Sequence, residues 1–131
     1  MKTCIFKTEV LRDKKIIREI EVAENINLYK FAEAIVDAYD FDFDHAFGFF
    51  RKITDRWDFV DVEKYELFKD LEDQGIEPVD AGSVKHTKLR EVWKQPKDRM
   101  LFLFDYGDEW RFVVELKDFG EQQPQQKYPR V

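Results

Sequence analysis

The chain has 131 residues, 44% of them hydrophobic and 16% aromatic, including 13 Phe; that is the length of one domain, with enough apolar surface to fold without staples. Its net charge of −6, from 28 acidic and 22 basic residues spread along the sequence, lacks the basic excess of proteins that live on phosphate contacts and argues against nucleic acid. A lone Cys4 excludes an internal disulfide or thiolate cluster and fits a reducing cytoplasm. Charge at Lys7 and Glu9 comes too early for a signal sequence, and no apolar run approaches the roughly 18 residues of a membrane helix.

In chain order, "TCIFKTEVL" and "IIREIEV" flank "RDKK" and read as a β-hairpin. Ile16, Arg18, Ile20 and Val22 share one face of the second strand, opposite Cys4, Phe6, Thr8 and Val10. "NINLYKFAEAIVDAYD" reads as a helix with Asn27 as N-cap and Ile26 stapled onto Phe31. Its apolar stripe is Leu28, Phe31, Ala32, Ile35 and Tyr39. "HAFGFFRKI" is a third strand. "VEKYELFKDLED" is expected to be a second helix, with Val62, Tyr65, Phe68 and Leu71 at three-residue steps and Gly75 as its stop. A short helix is expected over Thr87–Trp93, before "KQPKDR" turns the chain into a last hairpin. Residues 121–131, polar and with two prolines, read as a C-terminal tail beyond a single domain at 1–120. The resulting class is α+β: a mainly antiparallel sheet of two β-hairpins and a middle strand, packed with two or three helices.

The last hairpin, "FLFDYGDEWRFVVEL", carries the densest polar signal. Gly107-Asp108 fits a two-residue II′ turn, which sets Asp105 opposite Trp110, Leu103 opposite Phe112 and Leu101 opposite Val114. Asp105 then lies on the more apolar face, beside an inward Trp110, and needs a cation or donors. Arg18 has the mirror problem, so the economical expectation is a buried Arg18–Asp105 pair within a polar cluster that includes Asp108 and Trp110.

At "FDYGDEW" the sequence resembles the plasmid pRiA4b ORF-3-like family of small α+β proteins of unknown function. The match to its Tyr-Asp-(Phe/Tyr)-Gly-Asp-x-Trp signature runs through Asp105, Tyr106, Gly107, Asp108 and Trp110, with Tyr128-Pro129 following. Phe104 replaces the first Tyr, Ile17-Arg18 stands where Trp-Arg is usual, and His45 matches a His after the helix. The His that often follows the signature Trp is absent. The family usually continues past Tyr-Pro into an acidic segment, so a site completed there would be incomplete in a sequence stopping at Val131. Some relatives carry a resolvase label, yet the sole serine here, Ser83, has no arginines close in sequence.

A metal reading rests on "YDFDFDH", where Asp40, Asp42 and Asp44 imitate the start of an EF-hand loop. His45 replaces the required Gly and Arg51 the bidentate Glu, so the loop fails further on. The bland alternative is a helix end with Phe41 and Phe43 inward and the aspartates in water. A weaker divalent-metal set remains in Asp44, His45, Asp105 and Asp108. No catalytic triad, phosphate-cradling loop or dinucleotide fingerprint appears, and no catalytic residue is assigned. Cys4 and Trp93 read as packing residues, as does Trp57, and His86 as a surface residue. The expected function is therefore a non-enzymatic binding module for a protein or small ligand. The alternative is a metal-dependent phosphoester hydrolase, with nucleic-acid binding third, and no cofactor or membrane is expected.

Overall fold

The computed structural model describes all residues, 1–131. Strands β1 (Lys2–Val10) and β2 (Asp13–Ala23) precede helix α1 (Leu28–Ala38), strand β3 (Phe47–Phe50) and strand β4 (Lys64–Glu66). Two one-turn helices, α2 (Leu67–Asp70) and α3 (Leu89–Val92), lead to strands β5 (Arg99–Phe104) and β6 (Trp110–Glu121). The strands form one antiparallel sheet in the order β2-β1-β6-β5-β3-β4, so the class is α+β. No helix is long and apolar enough to cross a membrane.

The main core lies between one face of the sheet and α1. Alternation along β1 and β2 brings Cys4 opposite Val22 and Phe6 opposite Ile20, and all four are fully buried beneath Leu28, Phe31, Ala32 and Ile35 of α1. Burial pushes the Cys4 thiol up to about 11. Asn27 caps α1 by accepting the Lys30 N–H at 2.8 Å. On the opposite sheet face a smaller core of Phe50, Phe59, Leu101 and Leu103 is covered by the loop between β3 and β4.

The expected helix over residues 62–73 is largely a strand and turns. Lys64, Tyr65 and Glu66 pair with Phe50, Phe49 and Gly48, followed by α2 and a 3-10 turn at Glu72–Gln74. Three-residue apolar spacing over so short a run satisfies either state, and the free backbone edge of β3 takes the strand. Gly75 does end the segment, at φ 92°.

The last hairpin is slipped by one residue from the expected register. Phe102 faces Phe112, and Phe104 faces Trp110. Met100, Phe102 and Phe104 therefore join Phe112 and Val114 in the main core, while Leu101 and Leu103 lie on the opposite sheet face in the smaller one. The cause is the turn. Gly107 does not have a positive φ, whereas Asp105 (φ 64°) and Glu109 (φ 56°) do. The Glu109 N–H returns to the Asp105 carbonyl at 2.6 Å, closing a five-residue loop rather than a II′ turn.

Tyr106 leaves this loop towards β3 and donates to Glu66 Oε1 at 2.6 Å; burial and that carboxylate push its pKa far upward. A Cβ on Gly48 would stand 2.7 Å from the Tyr106 hydroxyl and 3.0 Å from Glu66 Cγ. Gly48→Ala is therefore expected to cost ~1–3 kcal/mol by overpacking, measured as a lower urea midpoint with an unchanged slope. An unaltered midpoint would mean that the tyrosine swings aside freely.

Candidate functional site

The end of α1 is built unusually. The Phe41 N–H reaches back to the Val36 carbonyl and the Asp40 N–H to the Asp37 carbonyl, the pattern of a Schellman cap. The left-handed residue of such a cap is usually glycine; here it is Asp40, at φ 59°. The cap turns Phe41 onto Phe104 and Trp110, at ring-centroid distances of 6.2 and 4.9 Å. Phe43 packs against Phe47 at 5.4 Å. The two phenylalanines therefore anchor "DFDFDH" to the core, while Asp42 and Asp44 stay exposed.

On the far side of Phe104, the hairpin loop is tied to the same segment. The Asp105 N–H donates to the Ala46 carbonyl at 2.9 Å. Asp105 Oδ1 accepts the N–H groups of Gly107 and Asp108 at 3.1 and 3.2 Å, a local arrangement that Asp favours in turns. Its other oxygen lies 3.5 Å from His45 Nε2, which is 3.3 Å from Asp44 Oδ1.

These two segments enclose a cleft of about 340 Å³. Five aspartates line it, Asp40, Asp42, Asp44, Asp105 and Asp108, together with His45. Phe41, Phe104 and Trp110 form its apolar walls, and no Lys or Arg lines it. Asp44, His45, Asp105 and Asp108, singled out from the sequence as a possible metal set, do share this cleft, but no group of three or more His, Cys, Asp or Glu is arranged to hold a metal ion.

Arg18 is not brought to Asp105. Its Nε donates to the Ala38 carbonyl at 3.2 Å, Nη1 donates to the Ile17 carbonyl at 2.9 Å, and the guanidinium lies over the Tyr39 ring. It neutralises the C-terminal end of α1 instead. The expected buried pair fails because the register slip moves Asp105 off the sheet face into the loop, where backbone donors satisfy it. Trp110, expected inward, keeps the sheet face of Phe112 and Val114 but opens β6 at its end and is 41% exposed at the cleft mouth. Of the cleft residues, Asp40 and Asp42 were attached in sequence only to a failing EF-hand, and their aspartate-aromatic alternation was the available signal. Trp57 is also exposed, lying against Tyr106 and the Arg111 guanidinium. Ser83 donates to Asp70 Oδ1 at 2.5 Å and accepts the His86 N–H, so its hydroxyl organises a loop.

A second concavity of about 700 Å³ adjoins the first and shares Phe41 and Asp42 with it. It runs between the outer side of α1 and Tyr128-Pro129. The polar tail is therefore tied down. Arg130 exchanges both backbone hydrogen bonds with Glu21 on the edge strand β2, because an unpaired edge offers free donors and acceptors.

The family described as Plasmid pRiA4b ORF-3-like protein matches residues 8–131. No curated protein matches the chain. The fold is similar to that in the crystal structure of a protein of unknown function, MM3350, from Methanosarcina mazei Go1, with a TM-score of 0.73 and 22% sequence identity. The similarity covers 98% of this chain and 66% of that one.

Proposed function

This chain belongs to the plasmid pRiA4b ORF-3-like family, a family of unknown function, and from that premise we propose that it is a non-enzymatic binding module whose acidic cleft receives a lysine or arginine side chain of a partner protein. The observation that carries this reading is the cleft's charge imbalance: five carboxylates against one histidine, with three aromatic walls and no Lys or Arg. A guanidinium or ammonium entering there gains charge-assisted hydrogen bonds and a cation–π contact with exposed Trp110. The summed field of the carboxylates also steers a cationic partner towards it.

Backbone geometry supports the reading. Asp40 and Asp105 hold left-handed conformations, which cost an ordinary residue roughly 1–2 kcal/mol and glycine nothing. Asp is among the few residues other than glycine that accept this conformation, so both positions can carry a carboxylate. The cleft also carries no serine, cysteine or lysine nucleophile.

The test is an NMR titration of the protein with N-acetylargininamide, N-acetyllysinamide and Mn²⁺ in parallel. Arginine or lysine amide is expected to shift amides of residues 40–45 and 104–110, with an affinity on the order of 1 mM for so small a probe. Added salt weakens the binding, and Asp105→Asn/Asp108→Asn abolishes it. Shifts elsewhere, or unchanged binding by the double variant, would overturn the reading. Saturable Mn²⁺ binding centred on Asp44 and His45, without an effect of the organic cations, would install the metal-dependent alternative.

A further inference from the structure

The groove beside the cleft extends the reading above, on which the following rests. Lys30, Glu33, Ala34 and Asp37 line it from α1, at the i, i+3, i+4 and i+7 positions of one helix face. Lys30, Glu33 and Asp37 lie off the stripe of Leu28, Phe31, Ala32 and Ile35 that builds the core, while Ala34 is buried at its edge. Small Ala34 lets the groove floor dip, and Ile26, Phe41 and Phe43 make that floor apolar.

The opposite wall is Tyr128-Pro129, and it is anchored on both sides. The Tyr128 hydroxyl accepts the Gln123 N–H at 3.0 Å. Arg130 pairs with Glu21 through both backbone bonds, at 2.8 and 2.9 Å, and through its side chain at 3.3 Å. The groove is therefore preformed, which lowers the ordering cost of binding. Its volume falls within the range of specific ligand sites, ~300–1,000 Å³.

Charge decides what fits it. Glu33, Asp37 and Asp42 stand on its rim against the single cation Lys30, and Asp42 continues directly into the five-aspartate cleft. An acidic or phosphorylated segment is repelled along the whole length. An apolar side chain matches the floor, and a neighbouring cation matches the rim and the cleft.

We propose that groove and cleft form one elongated surface that binds an extended segment of a partner protein, seating an apolar side chain between α1 and Tyr128-Pro129 while an adjacent lysine or arginine enters the acidic cleft. Phe41 and Asp42, which line both concavities, are the junction between the two subsites.

The experiment is phage display of a random linear peptide library on the immobilised full chain, with counter-selection on Glu33→Arg/Asp37→Arg. Both positions are exposed on α1, so thermal melting of this variant should match the wild type. Selected peptides are then measured by fluorescence anisotropy against wild type, Glu33→Arg/Asp37→Arg, Tyr128→Ala and Asp105→Asn/Asp108→Asn. Enriched peptides should carry Lys or Arg next to a large apolar residue. Each groove variant and the cleft variant should weaken binding roughly tenfold or more, equal to about 1.4 kcal/mol.

Peptides without an apolar residue, or binding weakened by the cleft variant alone, would overturn the groove while leaving the cleft reading standing. Binding weakened by the groove variants alone would overturn the single surface and count against the cleft. A library that enriches no peptide would overturn the inference, and the arginine titration would then decide the cleft by itself.

Discussion

Arg111→Ala is expected to lower the melting temperature by roughly 10–20 °C, corresponding to ~3–5 kcal/mol for truncating one member of a buried charged network. The Arg111 side chain is 1% exposed, and it is the bolt that holds the loop between β3 and β4 against the sheet. Its Nη1 donates to the Thr54 and Arg56 carbonyls at 2.9 and 3.0 Å, and Nη2 donates to Glu109 at 3.0 Å. The guanidinium also lies near the ring faces of Trp57 and Phe59, at 5.2 and 5.8 Å. Alanine removes a donor from two loop carbonyls at once and opens the cluster in which Phe59 stacks on Phe50 at 4.0 Å. Arg111 Nε is a buried donor without a partner, so the side chain already carries a desolvation cost that its other three bonds offset.

Two controls separate charge from geometry. Glu109→Gln should cost under ~1 kcal/mol, because its side chain is 30% exposed and the ion pair is partly screened. Arg111→Lys keeps the charge but loses the planar fork that reaches carbonyls and carboxylate together, so it should melt between the other two. Thermal melts read by Trp57 fluorescence in a Trp93→Phe/Trp110→Phe background would report the loop directly. An Arg111→Ala protein that melts with the wild type would show that Phe50 and Phe59 hold the loop by packing alone.

Trp93→Ala is the second large effect, with an expected loss of ~3–5 kcal/mol in urea unfolding. Trp93 follows α3 directly and is fully buried. Its indole meets Phe6, Phe31 and Phe49 nearly edge-on, at centroid distances of 5.2, 5.3 and 5.7 Å, an arrangement favoured by the ring quadrupoles. Its Nε1 donates to the Val114 carbonyl at 3.1 Å. Trp93 thereby joins β1, α1, β3 and β6 through one side chain, and an alanine leaves a cavity that four elements cannot jointly close. Trp93→Phe should fall between, losing the hydrogen bond at about 1 kcal/mol and the volume of one ring. Equal midpoints for Trp93→Ala and Trp93→Phe would show that the cluster repacks.

Neither residue advertised this weight in the sequence in the same way. Trp93 was legible as a packing residue, because a tryptophan beside a short apolar helix has little else to do. Arg111 was not, since its partners Thr54 and Arg56 lie more than fifty positions away, and nothing local links them. The cleft was half legible. Asp44, His45, Asp105 and Asp108 were all named from local pattern, and they do line one cleft. The partner assigned to Asp105 was different, since the Arg18 proposal depended on a register that the actual turn does not produce.

What the sequence by itself determined is local. Asn27 caps α1, the stripe from Leu28 to Ile35 faces the core, and Gly75 ends its segment. These features depend on groups within about one helical turn of each other, so residue identity and spacing suffice. Only the tertiary structure decided the rest. The five-residue loop at Asp105–Glu109 set which face of β5 meets the main core, because the side-chain period of a strand is two and an odd loop in place of an even one exchanges the faces. The free edge of β3 drew residues 64–66 into the sheet, because unpaired backbone groups in a core are costlier than a lost helical turn. The acidic cleft exists because the first of these outcomes places the hairpin loop beside the end of α1, with Phe41 and Phe104 between their aspartates.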